Sequence, residues 1–271
     1  MAMDLLAPEI LGLRSAFSVG IVALLLAVEW LVPFRAPIQS KLEHASYNLI
    51  IFGSNSLIAQ ILSSWTLLLW SGYVTGEAWG LLYYFQVGPA SNILLSVILL
   101  DFIAYGVHRL YHYVPFLWRF HRAHHSDLDM DATTSVRFHL GEVLVTSGIR
   151  GLSVLGLGIS PVGLLLSDTI TFSAALFSHG NLRLPKSVEP TLRLAIVTPA
   201  MHWIHHSRSP AEHNTNLGAV FSGWDRLFGT YFMGLRQDQI TFGLNEYPAS
   251  EDVTILRLLR MPFDPACRRL H

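Results

Sequence analysis

The chain has 271 residues, of which 51% are hydrophobic and 14% charged, with a formal net charge of -1 and a mean hydropathy of +0.41. Soluble domains carry about 25% charged residues, so a surface this apolar needs hydrocarbon around it, and a membrane protein is the leading class. The near-zero charge and the absence of a dense Lys/Arg run exclude a basic nucleic-acid binder, while the single cysteine, Cys267, excludes a disulfide framework, a Cys-ligated iron–sulfur cluster and a cysteine zinc finger, so any metal must be held by nitrogen and oxygen.

The N-terminal stretch MAMDLLAPEILGLRSAFSVG has acids ahead of its apolar run and no basic n-region with a small-residue cleavage site, and reads as a short tail before a retained helix. Residues 16–33 form the first spanning candidate, broken only by Glu29 near its end. Residues 47–70 and 91–107 form the second and third, each long enough to cross roughly 30 Å of hydrocarbon, the third carrying Asp101. Apolar residues 143–177 contain Gly156, Gly158 and Pro161 midway, which predicts two helices folded as a hairpin. Arg35 and Lys41 follow the first span and Arg109, Arg119, Arg122 and Arg137 follow the third, whereas residues 71–88 contain no Lys or Arg. The positive-inside rule then makes residues 34–46 and 108–142 cytoplasmic, and a hairpin returns residues 178–271 to the same side. The expected fold is all-α: a polytopic bundle of about four to five membrane helices under a helical cytoplasmic cap. With no internal repeat, low-complexity tract or linker, residues 1–271 read as one domain.

Eleven of the 13 histidines fall between residues 108 and 213. A helix turns about 100° per residue, so His108 and His112 share a face, as do His121, His124 and His125, and again His202, His205 and His206. One such pair is more often a solvated or satisfied core feature than a metal site. One HxxxH and two HxxHH on one side of a bilayer, where ionisable groups are costly and usually functional, argue for metal. Imidazole suits iron, copper, zinc or nickel and is a poor ligand for calcium or magnesium. A single zinc needs about four ligands, and these clusters supply more, so two ions are implied. A non-haem di-iron site suited to dioxygen is the best chemical reading.

The segments DFIAYGVHRLYH, LWRFHRAHHSD, RFHLGE, FSHGN, TPAMHWIHHSR and WDRLFGTY, in that order, resemble the fatty acid hydroxylase and sterol desaturase superfamily of integral-membrane di-iron oxygenases. The resemblance covers residues 91–231, continues weakly upstream in EWLVPFR, and departs from the family at Leu140, where proline usually follows histidine. It implies two irons that use dioxygen and two electrons to hydroxylate or desaturate a lipid C–H bond. It also implies His108, His112, His121, His124, His125, His179, His202, His205 and His206 as metal ligands, with His139 and His213 as possible additions and Asn181 acting through a water.

Asp101 lies seven residues before His108 on nearly the same helix face, and is expected to accept from the far ring nitrogen of a ligand histidine, as is Glu142. Tyr105 and Trp118 read as packing or interface residues. A lipid substrate is expected to enter from the bilayer. No GxGxxG and no second cysteine is present, so a separate ferredoxin, cytochrome or reductase is expected to deliver electrons, with Arg119, Arg122 and Arg137 meeting an acidic partner. The rival reading is a membrane metal-ion transporter or a metal-binding protein without oxidative chemistry. Transporter ligands belong near the membrane midplane on broken helices, whereas these clusters follow the ends of spans. A zinc hydrolase would carry HExxH, which is absent.

Overall fold

Helix boundaries fall where proline, glycine and short capping side chains place them. The computed structural model describes residues 8–59 and 65–264, which are helical with no strand among them. α1 (Pro8–Leu31) contains most of the first expected span. Of the second, expected over residues 47–70, residues 60–64 fall outside the described ones, and on either side of them lie α2 (Lys41–Ala59) and α3 (Trp65–Gly76). α2 carries a polar face: Asn48 Nδ2 donates to Thr133 Oγ1 at 3.0 Å and Asn55 Nδ2 to the Phe138 carbonyl at 2.6 Å, so that face docks on protein.

A short turn, α4 (Leu81–Tyr84), precedes α5 (Pro89–Tyr113), which is the third expected span, and α6 (Pro115–His125). A residue before proline is pushed out of the helical region. Val114 accordingly sits at φ -102°, ψ 111°, and Pro115 starts α6 at the position where a missing N–H costs nothing. That break folds α6 back, so the histidines of α5 and α6 can face each other.

The expected hairpin is present as α7 (Leu140–Leu157) and α8 (Pro161–His179). Gly158 ends α7 at φ +76°, a left-handed cap that glycine adopts without strain. Ser160 caps α8 through a 3.2 Å bond from Gly163 N. Gly80 presses against this turn so closely that a Cβ there would lie 2.3 Å from Gly158 N. Leu82, Leu100, Val154, Ile159 and Leu164 pack around the same end.

α1, α5, α7 and α8 each contain a stretch long and apolar enough to cross a membrane. On α1, Phe17, Val19, Leu24 and Trp30 are 54–69% exposed, a surface that hydrocarbon rather than water accommodates. α1, α5 and α8 end, and α7 begins, at one cap. The cap is built from α9 (Glu189–Leu192), α10 (Pro199–His205), α11 (Pro210–His213), α12 (Gly223–Leu227), α13 (Ile255–Arg260) and a 3-10 turn at Ala132–Val136. Glu29 Oε1 fastens α1 to this cap by accepting from Ala132 N at 2.9 Å and Asn181 N at 2.7 Å. Trp118, Leu244, Tyr247, Leu258 and Met261 form its apolar core, each burial contributing about 1.5–3 kcal/mol. The two histidine-rich regions therefore lie on the same side of the helices. Cys267 and the N-terminal tail fall outside the described residues.

Candidate metal centre

Four elements carry the clustered histidines to one place. His108 and His112 sit one turn apart near the end of α5, His121, His124 and His125 close α6, His179 is the last residue of α8, and His202 and His205 lie on α10 with His206 at its C-cap. They form two groups, His108, His112, His121, His125 and His205 in one and His124, His179, His202 and His206 in the other. Within each group, one ligand atom per residue lies within 4.8 Å of the others. The groups adjoin: the His125 and His206 rings stack at 4.5 Å.

Ring nitrogens reveal what the groups can hold. Backbone carbonyls only accept hydrogen bonds, so His108 Nδ1 toward Leu217 O (2.8 Å), His179 Nδ1 toward Ala175 O (2.8 Å) and His205 Nδ1 toward Thr215 O (3.0 Å) must each carry the proton. Their Nε2 atoms are left as bare lone pairs. His112 Nδ1 lies 3.2 Å from Asn214 Oδ1, which does the same for that ring, and His121 Nδ1 lies 2.7 Å from Glu142 Oε1. His108 Nε2 and His121 Nε2 lie 3.2 Å apart, a spacing at which both can reach one ion.

In the other group the Nε2 atoms of His124, His179, His202 and His206 follow one another at 3.1, 3.0 and 3.2 Å. Adjacent ligands bound at about 2.1 Å to one ion are spaced about 3.0 Å or more apart, so the donor set fits a metal. His112 Nε2, His205 Nε2 and both nitrogens of His125 are buried without a hydrogen-bond partner, which a ligated nitrogen explains. Burial, then neighbouring imidazoles, holds His124, His125, His202, His205 and His206 well below the ordinary histidine value. Burial brings His121 down to about 3. Neutral imidazole is the form that binds metal.

The WDRLFGTY segment earns its place through Asp225. Its carboxylate accepts from Leu217 N (2.6 Å), Gly218 N (3.0 Å) and Thr230 Oγ1 (2.7 Å), shaping the loop whose Leu217 carbonyl orients His108. Asp101 serves the same loop, accepting from Val220 N (2.9 Å), Phe221 N (3.1 Å) and Trp224 Nε1 (2.8 Å). The expected bond from Asp101 to a ligand histidine is therefore replaced by a clamp: three donors use its oxygens. Glu142 makes the expected contact, to His121.

Asn181 is spent elsewhere, pairing with the backbone of Arg35 through Oδ1 and Nδ2, both at 2.9 Å, so its amide faces a loop and not the centre. His139 caps α7 by accepting from Gly141 N at 3.0 Å and stands apart from both groups. His213 stacks on Trp118 at 5.2 Å, with its ring 5.9 Å from those of His112 and His125.

A buried network that sequence reasoning missed lies beside the centre. His44 Nε2 is 2.8 Å from Asp127 Oδ1 and its Nδ1 3.0 Å from Asp131 Oδ2, and Arg137 Nη1 donates to Asn48 Oδ1 at 2.9 Å. Burial opposes charge on His44, but Asp127 and Asp131 outweigh it and raise the imidazole well above its usual value. The only signal was Asp127 itself, two residues past the HH pair; its partner stands 83 positions away. The same network corrects the expected docking patch: Arg137 and Arg122 are buried, at 1% and 2% exposure. Arg137 is held by Asn48, Ser126 and the Ala123 carbonyl, and the Arg122 guanidinium lies over the Tyr247 ring.

An apolar cavity of about 200 Å³ opens from the histidines along α5, α7 and α8, bounded by Ile103, Val107, Tyr111, Glu142 and Ala175. The sequence is similar to those of known proteins. The chain is 31% identical over 155 residues to the ornithine lipid hydroxylase OlsE of Rhizobium tropici, covering 57% of this chain and 46% of that protein. It is 29% identical over 144 residues to the alkylglycerol monooxygenase of Homo sapiens (53% and 31%), and 27% identical over 142 residues to the cholesterol 25-hydroxylase of Rattus norvegicus (52% and 46%). The chain thus spans less than half the length of these relatives. No solved structure matches it significantly. A family profile described as fatty acid hydroxylase matches residues 93–230, just over half of the chain, through every histidine of both groups, and the chain belongs to that family.

Proposed function

We propose that this protein is a membrane-embedded di-iron oxygenase, a single domain over residues 1–271, that hydroxylates an unactivated C–H bond of a lipid. The observation that carries the reading is the pair of buried imidazole groups, with ring nitrogens converging, at the closed end of an apolar cavity. His108, His112, His121, His125 and His205 would hold one iron, and His124, His179, His202 and His206 the other. Iron bound there supplies dioxygen activation and C–H oxidation, chemistry beyond any side chain acting alone.

The chain's own residues do the rest. The Leu217, Ala175 and Thr215 carbonyls hold protons on Nδ1 and so aim each Nε2 inward, and Glu142 orients the His121 ring. Glu142 Oε2 has no partner and borders the cavity, where it is placed to take or return a proton. Ile103, Val107 and Ala175 exclude water and admit an acyl or sterol-like chain from the bilayer. Two electrons per turnover come from a separate donor at the cap, which the loop charges put on the cytoplasmic side. The gathering of all nine rings at the ends of spans, away from the midplane, argues against a transporter. The names of the relatives favour hydroxylation over desaturation.

Protein purified anaerobically is expected to contain about two irons per chain and to convert lipid to a hydroxylated product with a reducing partner. His124→Ala and His205→Ala are expected to abolish turnover while leaving membrane insertion intact. A metal-free preparation with full activity, or either variant retaining it, refutes the assignment.

A further inference from the structure

A second polar cluster lies within the membrane helices, away from the histidines. Along α7 the cavity wall runs from Glu142 to Arg150, eight residues or about 12 Å of helix, and along α8 from His179 back to Thr171. Between these ends the wall is mostly apolar. Its far end is lined by Arg150, whose guanidinium bonds Asp168. Asp168 also lies 3.9 Å from Arg14 Nη2, and Arg14 Nε donates to Thr169 Oγ1 at 3.2 Å.

All three charged residues belong to stretches apolar enough to cross a membrane, where ionisable groups are costly and usually mark function. A brace between helices needs one cation for one anion. Here, among the described residues, two guanidinium groups share a single carboxylate, leaving a formal charge of +1 at the end of a channel otherwise suited to hydrocarbon.

We propose that Arg150 anchors the oxyanion of a single-chain anionic amphiphile, a carboxylate or a phosphate monoester, whose chain lies along the cavity toward the histidines. This deepens the oxygenase reading and rests on it for the identity of the ligand as substrate. Guanidinium is suited to such a head, because its planar N–H fork meets two oxygens at once. The head is then held about 12 Å of helix away from Glu142, so the carbon presented to the metal groups lies far down the chain from the polar end.

The test measures equilibrium binding of palmitate, hexadecyl phosphate and hexadecanol to the full chain in detergent, which needs no turnover. The wild type is expected to prefer at least one of the two anions over hexadecanol by about tenfold or more, and which anion wins identifies the head. Arg150→Gln is expected to erase the preference while hexadecanol binds as before. Arg150→Lys is expected to keep part of it, and Asp168→Asn, which frees the guanidinium, to keep or raise it. Equal wild-type binding of all three probes overturns the proposal. So does parallel loss of all three in Arg150→Gln and Asp168→Asn with a lowered melting temperature, the signature of a brace. In active preparations Arg150→Gln is expected to spread oxidation over several carbons. Selective binding without any oxidation supports the anchor and refutes the oxygenase reading instead.

Discussion

The two histidine groups use the same side chain but are held by different means. In the group of His108, His112, His121, His125 and His205, four rings have Nδ1 tied to an oxygen: two backbone carbonyls, Asn214 and Glu142. In the group of His124, His179, His202 and His206, His179 has such a tie, whereas Nδ1 of His124 and of His202 is buried with no hydrogen-bond partner. The first group is preorganised by the chain. The second is shaped by ring-on-ring packing, such as His124 stacked on Phe138 at 4.8 Å. Outer hydrogen bonds of this kind alter metal affinity by about 10–100-fold.

Removing the strongest of those ties is the sharpest way to break the contrast. Metal is expected to leave the wild type in two phases under a chelator, the faster from the group around His202. Glu142→Gln is expected to speed only the slower phase, by about 10–100-fold, followed by metal content against time. A single phase, or equal acceleration of both, removes the distinction between the groups.

A somewhat smaller effect is expected from the loop behind the first group. Asp225→Asn keeps the size of the side chain but gives up an acceptor shared by Leu217 N, Gly218 N and Thr230 Oγ1. It is expected to cost about 1–3 kcal/mol in denaturant unfolding, and to loosen metal in the group containing His108 before the other. Unchanged stability with unchanged metal release shows that the loop is held without it.

The smallest expected effect is on pH dependence, and it sets the metal groups against His44. His124, His125, His202, His205 and His206 have folded values below the unfolded histidine value, so the unfolded chain binds more protons and stability is lost as pH falls below about 6.5. His44 has a raised folded value; its contribution is full below about 6.5 and fades as pH climbs through that higher value. The metal-free protein is therefore expected to melt progressively lower from about pH 7 to 5, with a shallow decline on the alkaline side that His44→Gln removes. A flat acid limb indicates that the imidazoles are not buried neutral.

Much of this was legible before any coordinates. Helical spacing put His121, His124 and His125 on one face, and Gly158 with Pro161 marked the hairpin turn, because both signals are local. Residues that act across long separations were not legible. Asp101 lies at a spacing that suggests a contact with His108, yet its partners are backbone amides some 119 and 120 positions away. Arg122 and Arg137 read as surface charge because a sequence does not reveal that Asn48 and Tyr247 will close over them. The docking of α2 was hidden for a similar reason: Asn48 and Asn55 turn one of its faces toward the cap.

The hairpin of α7 and α8, 18 and 19 residues long and pinned where Gly80 meets Gly158, acts as a depth gauge. One residue added to α8 between Asp168 and His179 would lift His179 by about 1.5 Å and swing it about 100° around the axis. The completeness of the second histidine group thus depends on the residue count of α8, whereas the width of the cavity is set by side chains such as Ile103 and Ala175, which can change without altering helix length.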